Sequence, residues 1–286
     1  MIISKVKLVT FSPTGNSKKI GQAITKAMQA PIEHIDLTSP KSVTETYEEF
    51  KDELTIIASP VYTGRIPTEA SIRLHGLKAN NTPAVLVVTY GNRALEDALI
   101  ELRDIVSEVG FKPIAACAFI GEHSWSTPEK PTAEGRPDKE DLLLAEEFGV
   151  KILEKLKQAG SVDELPVVDV PGSNPYKLAI GGVLKRYDNV RLMSPYTDDE
   201  ACTRCGSCVE PCPTAAIMIE DVFSSPSPMC SLKARVVSTD MNRCVWCFAC
   251  IRACPLGARL RRPYMLEVAE WLSTNLNDRK KPETYL

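Results

Sequence analysis

The sequence predicts an α/β protein with a doubly wound parallel sheet, followed by a second, smaller α+β domain that is rich in cysteine. Short apolar runs alternate with longer amphipathic segments in the first 160 residues, which is the pattern of strands covered by helices. Beyond them, eight of the ten cysteines fall in two tight clusters. We divide the chain into a first domain (1–160), a connecting segment (161–197), a cysteine domain (198–260) and a C-terminal helix (261–286).

Composition narrows the class of partner. With 44% hydrophobic residues in 286, the chain can bury a sizeable core, and its formal net charge of -3 includes no lysine-arginine block for nucleic acid or anionic lipid. The N-terminal stretch MIISKVKLVTF is interrupted by lysine too often for a secretory signal, and no apolar run reaches membrane-spanning length. We expect a cytoplasmic protein whose partners are small molecules or other proteins.

Five strands and four helices follow from the apolar periodicity. The predicted strands are Val6–Phe11, Glu33–Leu37, Leu54–Ala58, Ala84–Thr89 and Ile114–Ile120. The predicted helices repeat apolar residues three or four positions apart and are Lys18–Ala30, Ala94–Val109, Pro137–Gly160 and Pro263–Leu276. The connecting segment contains one apolar patch, YKLAIGGVLKRY, where we expect a short helix.

The clustered cysteines form an internal repeat. Cys202, Cys205, Cys208 and Cys212 recur forty-two residues later as Cys244, Cys247, Cys250 and Cys254, and each copy ends in Cys-Pro. In such runs three thiolates hold one cluster and the fourth reaches the other. The spacing predicts one 4Fe-4S cluster on Cys202, Cys205, Cys208 and Cys254, and a second on Cys244, Cys247, Cys250 and Cys212. Structural zinc is the alternative, but zinc ribbons have no use for a third cysteine in the same loop.

Two cysteines stand apart from the repeat. Cys117 lies inside an apolar strand and is expected in the core. Cys230 lies in the insert EDVFSSPSPMCSLKARVV between the two runs. It is either a small apolar side chain or a redox-active or partner-facing thiol.

A phosphate-binding loop is predicted after the first strand. The segment SPTGNS leads into a helix at the sheet edge where ligands bind, and N–H groups at a helix N-terminus favour an anion. It lacks the Gly-Lys-Ser/Thr ending of a triphosphate loop, which favours a monophosphate ester. A helix cap without a ligand is the alternative. The expected contacts are Ser12, Thr14, Gly15, Asn16 and Ser17.

Two later loops should reach the same sheet edge. SPVYTGRIP follows the third strand and TYGNRALED follows the fourth, and each offers a tyrosine and a glycine. An aromatic face and a close backbone approach suit a flat ring system, although the tyrosines can also simply cap the sheet. The candidate contacts are Pro60, Val61, Tyr62, Gly64, Thr89, Tyr90, Gly91, Asn92 and Arg93.

The first domain resembles a flavodoxin, with residues 12–17 matching its FMN phosphate loop and the two later loops matching those that bind its isoalloxazine ring; such a sheet has the order 2-1-3-4-5. The motifs FSPTGNS, TYGNRALEDAL and GEHSWS are those of the fusion family named below. The cysteine domain resembles bacterial-type two-cluster ferredoxins. Joined in one chain, they are similar to the flavodoxin and ferredoxin fusion family. This resemblance implies FMN as a second cofactor, whereas the loop alone implies only a phosphate.

The segment GEHSWS follows the fifth strand and should also face the flavin. Ser124 is a candidate contact, and His123 is a candidate proton donor to reduced flavin, because histidine changes charge near neutral pH. An ordinary loop histidine is the alternative. Arg65 and Arg93 are candidates to stabilise anionic flavin or to hold an acidic substrate, or are surface arginines beside a cleft.

An arginine run follows the last cluster ligand. Arg259, Arg261 and Arg262 can dock an acidic electron donor, raise a cluster's potential through their charge, or form a solvated helix start.

We expect an iron-sulfur flavoprotein that transfers electrons between two 4Fe-4S clusters and FMN, as an oxidoreductase acting on a small substrate. The alternative is an electron carrier whose only partner is another redox protein. A third reading is a docking module without flavin. The expected donor or acceptor is a ferredoxin-like protein, and a homodimer is one arrangement for the transfer. No Gly-x-Gly-x-x-Gly fingerprint of a dedicated nicotinamide domain is present.

Overall fold

The computed structural model describes residues 3–177, 193–223 and 233–286. Its strands are β1 (Val6–Thr10), β2 (Ile32–Asp36), β3 (Leu54–Pro60), β4 (Thr82–Tyr90), β5 (Phe111–Ile120), β6 (Tyr196–Thr197), β7 (Ile217–Phe223), β8 (Lys233–Thr239), β9 (Arg259–Leu260) and β10 (Glu283–Tyr285). Its α-helices are α1 (Asn16–Lys26), α2 (Thr68–His75), α3 (Ala98–Glu108), α4 (Lys139–Gln158), α5 (Ala249–Arg252) and α6 (Pro263–Asn275).

The main sheet has the strand order 2-1-3-4-5, and all four of these pairings are parallel. This confirms the predicted flavodoxin-like fold class. A sixth strand was not predicted: β10 pairs antiparallel with β5, with Glu283 opposite Ala118 and Tyr285 opposite Ala116. The segment assigned to a helix up to residue 286 is therefore helical only as far as Asn275, and its last residues cover a sheet edge instead.

The core lies on both faces of this sheet. Along β1, Leu8 packs into one buried cluster together with Phe148 of α4, while the next residue, Val9, packs into another together with Leu99 of α3. Successive strand residues point to opposite faces of the sheet. Because helices cover both faces, neither needs polar residues. This explains why the central strands read as continuous apolar runs.

Helix boundaries depend on capping residues that the apolar pattern does not show. The helix expected from Pro137 begins at Lys139, because the Asp138 carboxylate accepts hydrogen bonds from the backbone N–H groups of Glu140 and Asp141. Helix α2 was not predicted, since its eight residues bury only three side chains.

The cysteine domain is built from small antiparallel pairs. Strands β7 and β8 form a hairpin, and β6 pairs with β9. The hairpin includes both ends of the insert, whereas Cys230 and most of the apolar patch in the connecting segment lie outside the described residues. Within the ranges that the structure covers, no helix is long and apolar enough to cross a membrane.

Candidate functional site

The loop after β1 presents backbone N–H groups at the start of α1. Gly15 is the N-cap residue with φ of 86°, and no side chain caps the helix from this position. The hydroxyl of Ser12 accepts a hydrogen bond from the Lys18 N–H at 3.1 Å. Because the first N–H groups of a helix have no partner within it, those of Asn16 and Ser17 are suited to an anion. Pro13, which has no N–H, takes none of these donors away.

The polar side chains of this loop are largely occupied by internal contacts. The Ser17 and Thr89 hydroxyls lie 2.6 Å apart, and the Asn16 side-chain amide donates to the Glu122 carbonyl at 3.2 Å. These bonds hold the phosphate loop against the ends of β4 and β5. Ser12 and Ser17 thus also have structural roles, and their contacts with an anion stay predictions.

A cavity of about 780 Å³ opens at this sheet edge. The predicted residues that line it are Thr14, Asn16, Pro60, Val61, Tyr62, Thr89, Tyr90, Gly91, Arg93, His123 and Ser124. Three loops that are distant in sequence thus meet around one space, as the sheet topology requires.

Gly64 and Asn92 do not line the cavity. The Gly64 carbonyl accepts a hydrogen bond from the Asp97 N–H at 3.1 Å. The Asn92 side-chain amide donates to the carbonyls of Leu276 and Asp278 at 2.8 and 2.9 Å. The Asn92 side chain thus anchors the segment that follows α6, and its expected contact with a cofactor stays a prediction.

His123 is held as a neutral imidazole. Its Nδ1 accepts a hydrogen bond from the Trp125 backbone N–H at 3.1 Å, which places the ring proton on Nε2. Burial lowers the pKa of His123 to about 4, and the charges of Arg93 and Arg252 act in the same direction. This pKa lies below the neutral range that the residue type led us to expect.

Gly91 makes room for that imidazole. A Cβ at this position would lie 2.3 Å from Cδ2 of His123, closer than two carbon atoms can approach. Gly91, where the backbone was predicted to approach a flat ring, therefore accommodates the His123 side chain.

The two loop arginines form ion pairs. Arg65 makes a bidentate pair with Glu101, with N–O distances of 2.8 and 2.7 Å. Arg93 pairs with Glu96, three residues further along the same loop. Both charges are thus partly neutralised, by Glu101 of α3 and by Glu96, which weakens the expectation that the two arginines hold an anionic flavin or substrate.

The cavity is also closed by residues from beyond the sheet domain, which the sequence did not indicate. Val245 and Trp246 come from the cysteine domain, and Val268, Trp271 and Leu272 come from α6. The Trp125 indole N–H donates to the Trp246 carbonyl at 2.9 Å and fixes this approach. The indole N–H of Trp246 is buried and has no acceptor among the described residues. The sequence carried one sign of this contribution to the cavity, which is the tryptophan between two predicted cluster ligands.

Tyr62 lies where the cavity meets the cysteines. Burial raises the pKa of Tyr62 well above its ordinary value, and the sulfur of Cys247 adds to this rise. Tyr90 also lines the cavity and is 5% exposed. The Lys280 ammonium lies 6.0 Å from the centre of its ring. Tyr62 is therefore the cavity residue with the clearest electrostatic link to a cysteine.

The eight repeated cysteines separate into two sets of four. One small cavity is lined by Cys202, Cys205, Cys208 and Cys254. Another is lined by Cys212, Cys244, Cys247 and Cys250. The fold thus brings the fourth cysteine of each run to the first three of the other run. Burial raises the pKa of Cys250 to about 11, and the nearby Arg259 guanidinium opposes that rise.

Residues 201–258 match the family described as the 4Fe-4S dicluster domain. This part of the chain is a dicluster domain. The thiol sets fit that assignment, since thiolates in groups of four are the donors that 4Fe-4S clusters use. The zinc alternative is thereby set aside. A comparison with curated proteins finds no match.

Among solved structures, the chain is similar to flavodoxin 1 from Bacillus cereus, at 16% identity over 53% of this chain and 98% of that one, with a TM-score of 0.35. A flavodoxin from the Archaea matches at 15% identity over 54% and 99%, with a TM-score of 0.34. An NADH:FMN oxidoreductase in its apo form matches at 13% identity over 55% and 91%, with a TM-score of 0.40. The strand order, independently of these distant likenesses, assigns the fold of the sheet domain.

Proposed function

We propose that this protein is an iron-sulfur flavoprotein that passes single electrons between its dicluster domain and an FMN held in the large cavity. One observation carries the proposal. Trp246 lies between Cys244 and Cys247 in the chain and lines the cavity, so a molecule bound there lies beside the second cluster site.

The cavity offers what FMN requires. The start of α1, where the N-cap residue Gly15 has no side chain, supplies N–H donors for a phosphate, and Thr14 and Asn16 bring this loop to the cavity wall. Tyr62 and Trp246 supply aromatic faces for a flat ring. The buried Trp246 indole N–H lacks a protein acceptor, and an unpaired donor of this kind is costly unless a ligand pairs with it.

FMN would supply a centre that accepts electrons singly or in pairs. Around it, the residues of this chain exclude water and orient the ring. Neutral His123 retains a proton on Nε2 and can donate a hydrogen bond to a polar atom in the cavity without adding a positive charge. The enclosing side chains of Trp125, Trp246 and Trp271 favour a small substrate over a protein partner at the ring.

The electron path is tested by anaerobic stopped-flow reduction of the protein reconstituted with clusters and FMN. Reduced ferredoxin should bleach the cluster band first and the flavin band afterwards. Cys247→Ala, which removes a thiol of the second set, should slow flavin reduction at least about tenfold while FMN still binds. Cys117→Ala is the matched control, because this buried thiol lies in β5 and lines neither cysteine cavity.

Rapid reduction of the flavin by NADH alone, or unchanged reduction in Cys247→Ala, would contradict the proposal. The choice of electron acceptor distinguishes an oxidoreductase from the alternative of an electron carrier. Multiple turnovers with a small benzoquinone indicate an oxidoreductase, whereas reoxidation by cytochrome c alone indicates a carrier. We place the protein in the cytoplasm, where cysteine clusters of this kind meet no oxidising machinery.

A further inference from the structure

Arg259 lies between the two cysteine sets. Its side chain is 2% exposed, and it is the single residue that lines both cysteine cavities in the described part of the chain. The arginine run was expected to dock a partner, to raise a cluster's potential through its charge, or to be solvated. For Arg259 the burial of the guanidinium leaves the second of these alternatives.

The contacts that hold this guanidinium are neutral oxygens and one sulfur. It donates to the hydroxyls of Thr197 and Thr239, both at 2.6 Å, and to the Pro195 carbonyl at 3.3 Å. It also lies 3.9 Å from the sulfur of Cys250. The Nε–H has no acceptor among the described residues, and no carboxylate is among the described partners.

A buried cation without a counter-charge is costly by several kcal/mol. Arginine does not relieve that cost by losing its proton. Cysteine must be deprotonated to bind metal, so a loaded cluster brings negative charge to each set of four thiolates. The two sites flanking Arg259 are thus where the missing negative charge arises, and cluster sulfur is an acceptor of the kind that its Nε–H lacks.

We propose that Arg259 is the shared counter-charge of both clusters, which stabilises them against loss and raises both reduction potentials. Adding an electron increases the negative charge beside the guanidinium, so the cation favours the reduced state of either cluster. The contact with Cys250 makes the effect larger at the cluster held by the second set. This inference rests on the dicluster domain and is independent of FMN.

The test uses the full protein reconstituted anaerobically with iron and sulfide, and compares cluster potentials by electron paramagnetic resonance during redox titration. Arg259→Met keeps the volume and removes the charge, and should lower both midpoint potentials, more at the second cluster. Arg259→Lys keeps the charge and should restore most of the loss. The matched control is Arg262→Met, because Arg262 donates to the Ser194 carbonyl at 3.1 Å and lines neither cavity.

Unchanged potentials in Arg259→Met, or an equal shift in Arg262→Met, would overturn the proposal. Iron and acid-labile sulfide content per chain gives a second readout if the neutral variant loses its clusters. Retention of clusters in Arg259→Lys but not in Arg259→Met supports a role for charge. Equal loss in both variants would show that the arginine fork, rather than its charge, is required, and would refute the shared counter-charge.

Discussion

At the scale of single residues, the surroundings of a side chain change the properties that its residue type suggests. His123 is expected from its type to titrate near neutral pH, yet partial burial in the cavity wall and the nearby charges of Arg93 and Arg252 lower its pKa to about 4. Arg259 appears in a charged run, yet it is buried. Neither burial is visible in the sequence, since both depend on packing between segments more than 30 residues apart in the chain.

The depressed pKa of His123 predicts a specific loss of stability in acid. As the pH falls from about 6.5 to about 4, the unfolded chain takes up this proton before the folded protein does, so stability decreases by up to about 3 kcal/mol across that window. His123→Gln removes the titration. The difference in Tm between pH 7 and pH 5 should therefore be larger for the parent protein than for the variant. Identical differences would show that His123 titrates normally.

At the scale of elements, local pattern was informative wherever a segment's own residues settle its structure. Strands β1, β3, β4 and β5 are largely apolar because both of their faces are covered, whereas the edge strand β2 is mostly exposed. The cysteine spacing is fixed by the clusters. Helix α2 and strand β10 were not predicted, because their own residues do not settle their structure. The three residues Glu283–Tyr285 have no strand pattern of their own, and they are extended because the edge of β5 lies beside them.

The start of α1 carries a prediction about phosphate. FMN should bind roughly tenfold or more tightly than riboflavin if backbone N–H groups at this helix receive the phosphate. Gly15→Val strains a backbone with φ of 86° and places a branched side chain at the donors, so it should reduce this preference, measured by quenching of flavin fluorescence. Gly135→Val is the control, since Gly135 also has a positive φ, of 71°, but lies between β5 and α4 and not at the start of α1. Equal affinities for FMN and riboflavin in the parent protein would refute phosphate binding.

At the scale of the whole molecule, the sheet domain and the dicluster domain share one cavity. The Arg73 guanidinium donates to the Pro213 carbonyl beside Cys212, and Arg252 pairs with Glu122 at 3.2 Å. Trp125 donates to Trp246 across the same boundary. The sequence indicated both domains and the sheet edge at which the cavity opens. It did not indicate their contact, because a hydrogen bond to a backbone carbonyl leaves no signature in the residue that accepts it.

The returning strand β10 should stabilise the assembled molecule. Deleting residues 282–286 removes three residue pairs with β5, which we expect to cost about 2 kcal/mol and about 5 °C in Tm. The exposed edge of β5 should also increase light scattering on heating. Deleting Leu286 alone is the control, because it lies outside the strand. Circular dichroism on anaerobic samples measures both variants, and equal melting temperatures would contradict a structural role for β10.

The position of β10 also has a consequence for biosynthesis. A ribosome completes the five parallel strands first, then both cysteine runs, and only afterwards residues 283–285. The nascent sheet therefore keeps the edge of β5 open while the dicluster domain is being synthesised. During that interval the chain is most dependent on protection from aggregation, and slower translation would lengthen it.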